Sequence, residues 1–75
     1  MKHLDLSNNS ISRLSPLSQL KTLETLDLSN NRISDVSALT SLKNLKQLWL
    51  GGNSISAEQL QSLTAALPNC YISVE

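Results

Sequence analysis

The stretch LETLDLSNNRISDVSALTSLKN, residues 23–44, decides the fold because its pattern recurs before and after it in the chain. Rows that begin at Met1, Leu23, Leu45 and Leu67 align at a period of 22 residues. A repeat of this length is one structural unit, and it buries its apolar face only by stacking on its neighbours. The sequence therefore predicts one domain, 1–75, built from repeats 1–22, 23–44 and 45–66 and a partial repeat 67–75.

The alignment gives apolar and asparagine columns with fixed positions in each row. They read Leu4, Leu26, Leu48 and Cys70; Leu6, Leu28, Leu50 and Ile72; Asn9, Asn31 and Asn53; and Ile11, Ile33 and Ile55. Apolar and polar residues alternate around the fourth to sixth positions, which is typical of a strand. A turn cluster follows, and then a return segment with an apolar residue at every third position, which suits tight helical or extended turns. Strands connected in this way run parallel.

The asparagine column has a mechanical explanation. Where the chain turns inward after each strand, backbone groups lose their ladder partners, and burying them unpaired is costly. An asparagine amide carries both donors and an acceptor. We therefore expect Asn9, Asn31 and Asn53 to satisfy the turns of successive repeats.

The third row departs from the pattern after its turn. Its leucines between residues 60 and 67 are spaced three and four apart, which places them on one face of an amphipathic helix. Ser56 is a good N-cap, and Gln59 completes a capping box. The sequence predicts an α-helix over residues 57–66, ended by Pro68, and then a fourth strand.

These features resemble the 22-residue leucine-rich repeats of bacterial surface and intracellular repeat proteins and of phosphatase-regulating subunits. The pattern LxxLxLxxNxIxxLxxLxxL covers nearly the whole chain. The resemblance implies an α/β fold, a right-handed solenoid with a parallel β-sheet on the concave face and short turns or helices on the convex face. It also implies that the concave face binds a protein partner.

Polar residues between the strand leucines should face the concave side. The columns are His3, Thr25, Gln47 and Asn69; Asp5, Asp27, Trp49 and Tyr71; and Ser7, Ser29, Gly51 and Ser73. Neighbouring strands lie about 4.8 Å apart, so residues in one column touch. The predicted partner-binding residues are His3, Asp5, Asp27, Gln47, Trp49 and Tyr71.

Two pairs in the middle column carry most of this prediction. Trp49 and Tyr71 are the only aromatic residues of the chain, and exposed aromatic residues are typical binding hot spots. The alternative is that they pack on each other and stiffen the sheet. Asp5 and Asp27 are like charges that attract a lysine or arginine of a partner, or they form an ordinary solvated face.

The sequence supports a catalytic site on this face less well than it supports partner binding. Two carboxylates about 5 Å apart match a retaining glycosidase pair, and His3 adds a base or metal ligand. The open face of a sheet, however, has no pocket that would exclude water from a reacting group. We expect no enzymatic activity, no metal and no cofactor.

Composition narrows the partners and the compartment. The formal net charge is +0, which argues against nucleic acid as the main partner. The apolar stretches are too short to span a membrane, and no signal segment is visible. The single cysteine, Cys70, forms no internal disulfide and is predicted to be a buried core thiol in a leucine's place. We expect a soluble, cytoplasmic protein.

A second function stays open alongside partner binding. The first repeat has an uncovered stacking side, which includes Leu6 and Leu17, and β-strand edges left open invite association. The chain would then be a structural or C-terminal capping repeat block of a larger protein, or part of a homo-oligomer, that assembles through this end. Smaller expectations are a charge ladder of Lys2, Glu24 and Lys46 and a pairing of Arg13 with Asp35.

Overall fold

A computed structural model, which describes residues 2–74, contains four short strands in one parallel sheet of order β1-β2-β3-β4. The strands are β1 (His3–Asp5), β2 (Thr25–Asp27), β3 (Gln47–Trp49) and β4 (Tyr71–Ser73). The predicted parallel sheet is confirmed. Met1, which heads the first leucine column, lies outside the described residues.

Helical segments return the chain between the strands. Ser15–Gln19 and Ser37–Ser41 are 3-10 helices, as their apolar period of three favours. The third return is the α-helix α1, Ala57–Ala66, with the predicted bounds. Ser56 caps it by accepting from the Gln59 backbone N–H at 3.3 Å. The side-chain oxygen of Gln59 instead accepts from the Val36 N–H of the preceding repeat at 3.0 Å, so the predicted reciprocal half of the capping box is replaced by a bond between repeats.

The leucine columns form the core between the sheet and the return segments. Ten side chains are essentially fully buried, and all of them belong to the second and third repeats: Leu23, Leu26, Leu28, Ile33, Val36, Leu39, Leu42, Leu48, Leu50 and Leu63. In the first repeat, by contrast, Leu4, Leu6 and Ile11 are only partly buried. Stacking between repeats therefore provides the burial, as the period predicts.

The asparagine column works as expected. Asn31, only 7 % exposed, donates from Nδ2 to the Leu28 carbonyl of its own turn at 2.9 Å and to the Leu6 carbonyl of the preceding repeat at 3.0 Å. Its Oδ1 accepts from the Ile11 N–H at 3.1 Å. Asn53 repeats this arrangement one repeat later.

The fourth row does not continue the period of 22. In the observed register Ile72 lies opposite Leu48, and Tyr71 lies opposite Gln47. The predicted alignment of Cys70 with Leu48 and of Ile72 with Leu50 is therefore wrong by two residues. The longer return through α1 uses the additional residues.

Two smaller predictions, both about surface ion pairs, have opposite outcomes. Glu24 lies 3.8 Å from the Lys2 Nζ and 3.5 Å from the Lys46 Nζ, which confirms the charge ladder. Within residues 2–74, Arg13 forms no ion pair with Asp35; the Asp35 carboxylate accepts from the Ser37 N–H at 2.9 Å.

Cys70 is partly buried against the edge of the core and does not take the place of a buried leucine. Burial nevertheless raises the pKa of its thiol, because desolvation disfavours the thiolate.

Candidate functional site

The open face of the sheet carries two rows of side chains at right angles to the strands. The first row is His3, Thr25, Gln47 and Tyr71, and the second is Asp5, Asp27, Trp49 and Ser73. We call the second row the acid–indole row. The predicted column that ran from two aspartates to two aromatics is thus corrected at its last member, where Ser73 replaces Tyr71.

The two aromatic residues are consequently diagonal neighbours. Tyr71 lies opposite Gln47, whereas Ser73, two residues later in β4, lies opposite Trp49. Tyr71 is 67 % exposed, whereas Trp49 is half-buried. They remain on the same side of the sheet, because positions two apart in a strand share a face. Direct packing of one ring against the other, the alternative left open above, is not favoured by this register.

The two aspartates lie next to each other, as predicted, and the same local turn holds each of them. The Asp5 Oδ1 accepts from the Ser7 N–H at 3.0 Å and from its hydroxyl at 2.7 Å. The Asp27 Oδ1 accepts from Ser29 at the same two distances. An aspartate that bonds to a backbone group two residues later is a common way to end an extended segment.

Hydrogen bonding also affects the acidity of Asp5. The Ser7 hydroxyl, and then the Ser7 backbone N–H, lower the pKa of Asp5 below its ordinary value, with a small opposing effect of desolvation. Both donors favour the charged form of the carboxylate. Asp5 is therefore a carboxylate over the physiological pH range, and it presents a fixed negative charge on the face.

The first row is polar and mostly uncharged. His3, at the exposed edge, hydrogen bonds through Nδ1 to the hydroxyl of Thr25. Gln47 is half-buried between Thr25 and Tyr71. Thr25 and Ser73 are face residues that the predicted binding set did not include. The period of 22 already gave the position of Thr25, but the position of Ser73 depends on the register shift.

The arrangement offers little to catalysis or metal binding. The described residues contain no group of three His, Cys, Asp or Glu side chains that could hold a metal ion. A depression of about 210 Å³ lies away from the strands, between the first two return segments, where Arg13 and Asp35 line it. Across residues 2–74, no helix has the length and apolar character needed to cross a membrane.

Comparison with known proteins agrees with this architecture. The family model for leucine-rich repeats in two copies matches residues 1–40 and 21–65. The chain belongs to the leucine-rich-repeat family, and its parallel sheet with short helical returns is a leucine-rich-repeat solenoid. Proteins of this family generally bind other proteins and are typically not enzymes.

Two solved structures resemble the chain at substantial identity. The chain is 38% identical to internalin C2 of Listeria monocytogenes, with a TM-score of 0.82, over 92% of this chain and 30% of that one. It is 36% identical to a leucine-rich-repeat protein of Leptospira interrogans, with a TM-score of 0.84, over 95% of this chain and 19% of that one.

A second Listeria internalin is more distant, at 26% identity and a TM-score of 0.67, over 99% of this chain and 28% of that one. The chain thus spans less than a third of each of these structures. A search of curated proteins gives no match.

Proposed function

We propose that the chain is a protein-binding module that contacts its partner through the open face of the sheet. The observation that carries this proposal is the exposure of Tyr71, at 67 %, on the same face as the half-buried Trp49. Aromatic residues of this kind are enriched among the residues that dominate protein–protein binding energy. The general role of the family supports protein binding as such.

The face has the layout expected for such an interface. Trp49 and Tyr71 supply apolar area near its C-terminal side, and polar or charged side chains lie beside them on the first three strands: His3, Asp5, Asp27 and Gln47. Interfaces commonly combine an aromatic centre with a polar periphery. Catalysis has no comparable support, because the two carboxylates are held by identical turns and so have the same geometric role.

The test compares the two sides of the solenoid with the same partner. A tagged chain is used to isolate a binding protein, and its affinity for the purified chain is then measured by calorimetry. Changing Trp49→Ala together with Tyr71→Ala should weaken binding at least about a hundredfold, since each hot-spot residue contributes about 2 kcal/mol or more.

The matched control lies on α1, where Gln61 and Ser62 are exposed on the convex side. The variant Gln61→Ala with Ser62→Ala should bind like the original chain. If the two double variants bind the partner equally well, the sheet face is not the interface.

A second candidate function is assembly through the first repeat. It is favoured by the partial exposure of the apolar residues there, Leu4, Leu6, Ile11, Leu17 and Leu20. Asn9 also bonds only within its own turn, to the carbonyls of Leu6 and Ser7, whereas Asn31 and Asn53 reach into the preceding repeat.

A further repeat, from this or another chain, would complete that set of contacts. Sedimentation equilibrium tests the homo-oligomeric form of this candidate. A concentration-dependent increase in mass that Leu17→Glu removes supports it, and a monomer at every concentration contradicts it.

A further inference from the structure

The acid–indole row carries a more specific inference about the partner. At the face positions of the first three strands, the charged groups are the carboxylates of Asp5 and Asp27, and no lysine or arginine shares this face. The nearby lysines, Lys2 and Lys46, lie in another column and are paired with Glu24. The face is therefore negative on one side and lacks an internal cation to neutralise it.

Each aspartate has one oxygen left for a partner. Oδ1 is occupied by the two donors of Ser7 or Ser29, and within residues 2–74 Oδ2 has no hydrogen-bond donor. The two aspartates are in register on adjacent strands, whose backbones lie about 4.8 Å apart. Like charges placed directly opposite each other repel, and a cation bound between the two free oxygens removes this repulsion.

Trp49 adds a second, non-ionic attraction at the same place. It is in register with Asp27 on the side opposite to Asp5. A cation bound by Asp5 and Asp27 therefore lies beside Trp49 in the row, and an indole attracts positive charge that comes within about 6 Å of its ring. The neighbours of Trp49 on its other sides are small. Ser73 lies opposite it on β4, and Gly51 comes two residues after it in the chain.

We propose that the acid–indole row binds an arginine side chain presented by an extended segment of a partner protein. The guanidinium donates to the free oxygens of Asp5 and Asp27 and stacks against Trp49. Arginine is favoured over lysine because its planar group offers several donors at once and stacks on aromatic rings, whereas an ammonium is a compact and strongly hydrated point charge. This inference rests on the proposed function, since it names the partner chemistry of the same face.

The experiment uses three capped peptides in which glycine alternates with arginine, lysine or glutamine, three copies of each pair. Each is titrated into isotope-labelled protein, and amide chemical shifts report both the position and the strength of binding. We expect the arginine peptide to shift Asp5, Asp27 and Trp49, and to bind about threefold more tightly than the lysine peptide. The glutamine peptide should produce no saturable shift at these residues.

Charge-removing variants then locate the site. Asp27→Asn should weaken binding of the arginine peptide by up to about fivefold, the upper end of the range for an exposed ion pair. Asp35→Asn is the matched control, because Asp35 holds the same kind of turn with Ser37 but lies off the sheet face. Circular dichroism melts of the two variants show whether both remain folded.

The outcomes separate this inference from the proposed function. Equal binding of the arginine and lysine peptides, or equal loss in Asp27→Asn and Asp35→Asn, overturns the arginine site. If Asp27→Asn keeps full affinity for the isolated partner while Trp49→Ala with Tyr71→Ala loses it, the face is still the interface and only the arginine inference is wrong. If neither change affects the partner, the proposed function fails as well.

Discussion

The side-chain amide of Asn31 spans two repeats, because its Nδ2 donates to the Leu6 carbonyl at 3.0 Å while its Oδ1 accepts from the Ile11 N–H at 3.1 Å. One buried side chain thus satisfies the inner turn of its own repeat and two backbone groups of the repeat before it. Asn9 occupies the same column but bonds only within its own turn. The contribution of this residue type therefore depends on whether a repeat precedes it.

Replacing Asn31 with alanine should lower the free energy of unfolding by about 2–4 kcal/mol, because several backbone groups at a part-buried turn lose their partner at once. Urea denaturation followed by circular dichroism measures this. Asn9→Ala is the matched control and should cost less than about 1 kcal/mol, since its turn is exposed to water. Equal losses in the two variants contradict the role of Asn31 between repeats.

A second prediction concerns the pKa of the Asp5 carboxyl group. The pKa of Asp5 is lowered first by the Ser7 hydroxyl, so Ser7→Ala should raise that pKa toward the ordinary value of about 3.9. Because the folded pKa is below the unfolded one, the bonded carboxylate stabilises the fold above about pH 3.9, and this contribution is lost as the pH falls through the folded pKa. Carbon NMR of the carboxyl group across an acid titration measures the shift.

Asp35 is an internal control in the same spectra. Its pKa is lowered by the Ser37 backbone N–H and then by the Ser37 side chain, neither of which changes in Ser7→Ala. The pKa of Asp35 should therefore stay constant. An unchanged pKa of Asp5 in this variant would show that the hydroxyl of Ser7 does not hold the carboxylate.

Cys70 leads to a prediction about reactivity. Burial raises the pKa of its thiol, and the thiolate is the reactive form. Alkylation by iodoacetamide at pH 8 should be slower in the folded chain than in urea, because a raised pKa leaves a smaller fraction of the thiol as thiolate. A free-cysteine peptide in both solutions controls for the effect of urea, and equal folded and unfolded rates would contradict the burial.

The sequence predicted the regular part of this molecule because each repeat is stabilised by the same contacts. Leu26 and Leu48 are buried in register at the spacing that the alignment gave. Ser56 caps α1 as expected, since capping depends on a short local segment. The 22-residue period and the local sequence were therefore sufficient to predict these features.

The position of Tyr71 could not be predicted in the same way. A ten-residue α-helix is about 15 Å long, whereas a five-residue 3-10 helix is about 10 Å long, so the two returns consume different lengths of chain. Counting residues does not show how many of them the longer return uses before β4 begins. The predicted pairing of Arg13 with Asp35 is wrong for a different reason, because an exposed ion pair gains little energy and loses side-chain entropy when both groups are held in one geometry.

The turn at Gly52 supports a last prediction. Gly52 has φ +75, and Asn8 and Asn30 occupy the same position of the earlier repeats with φ 59 and 58. A Cβ on Gly52 would lie 2.3 Å from the Asn30 Oδ1. Gly52→Ala should therefore lower the free energy of unfolding by about 1–2 kcal/mol through the left-handed backbone, with a further loss because the Asn30 side chain must move.

A double-mutant cycle separates these two effects. In the background Asn30→Gly the side chain that meets the new Cβ is absent, so Gly52→Ala should cost only the backbone part. Denaturant unfolding of the four proteins gives the coupling between the positions, which for residues in contact is typically 0.5 kcal/mol or more. If the cost of Gly52→Ala is the same in both backgrounds, the close approach of Asn30 has no energetic consequence, and backbone conformation alone explains the glycine.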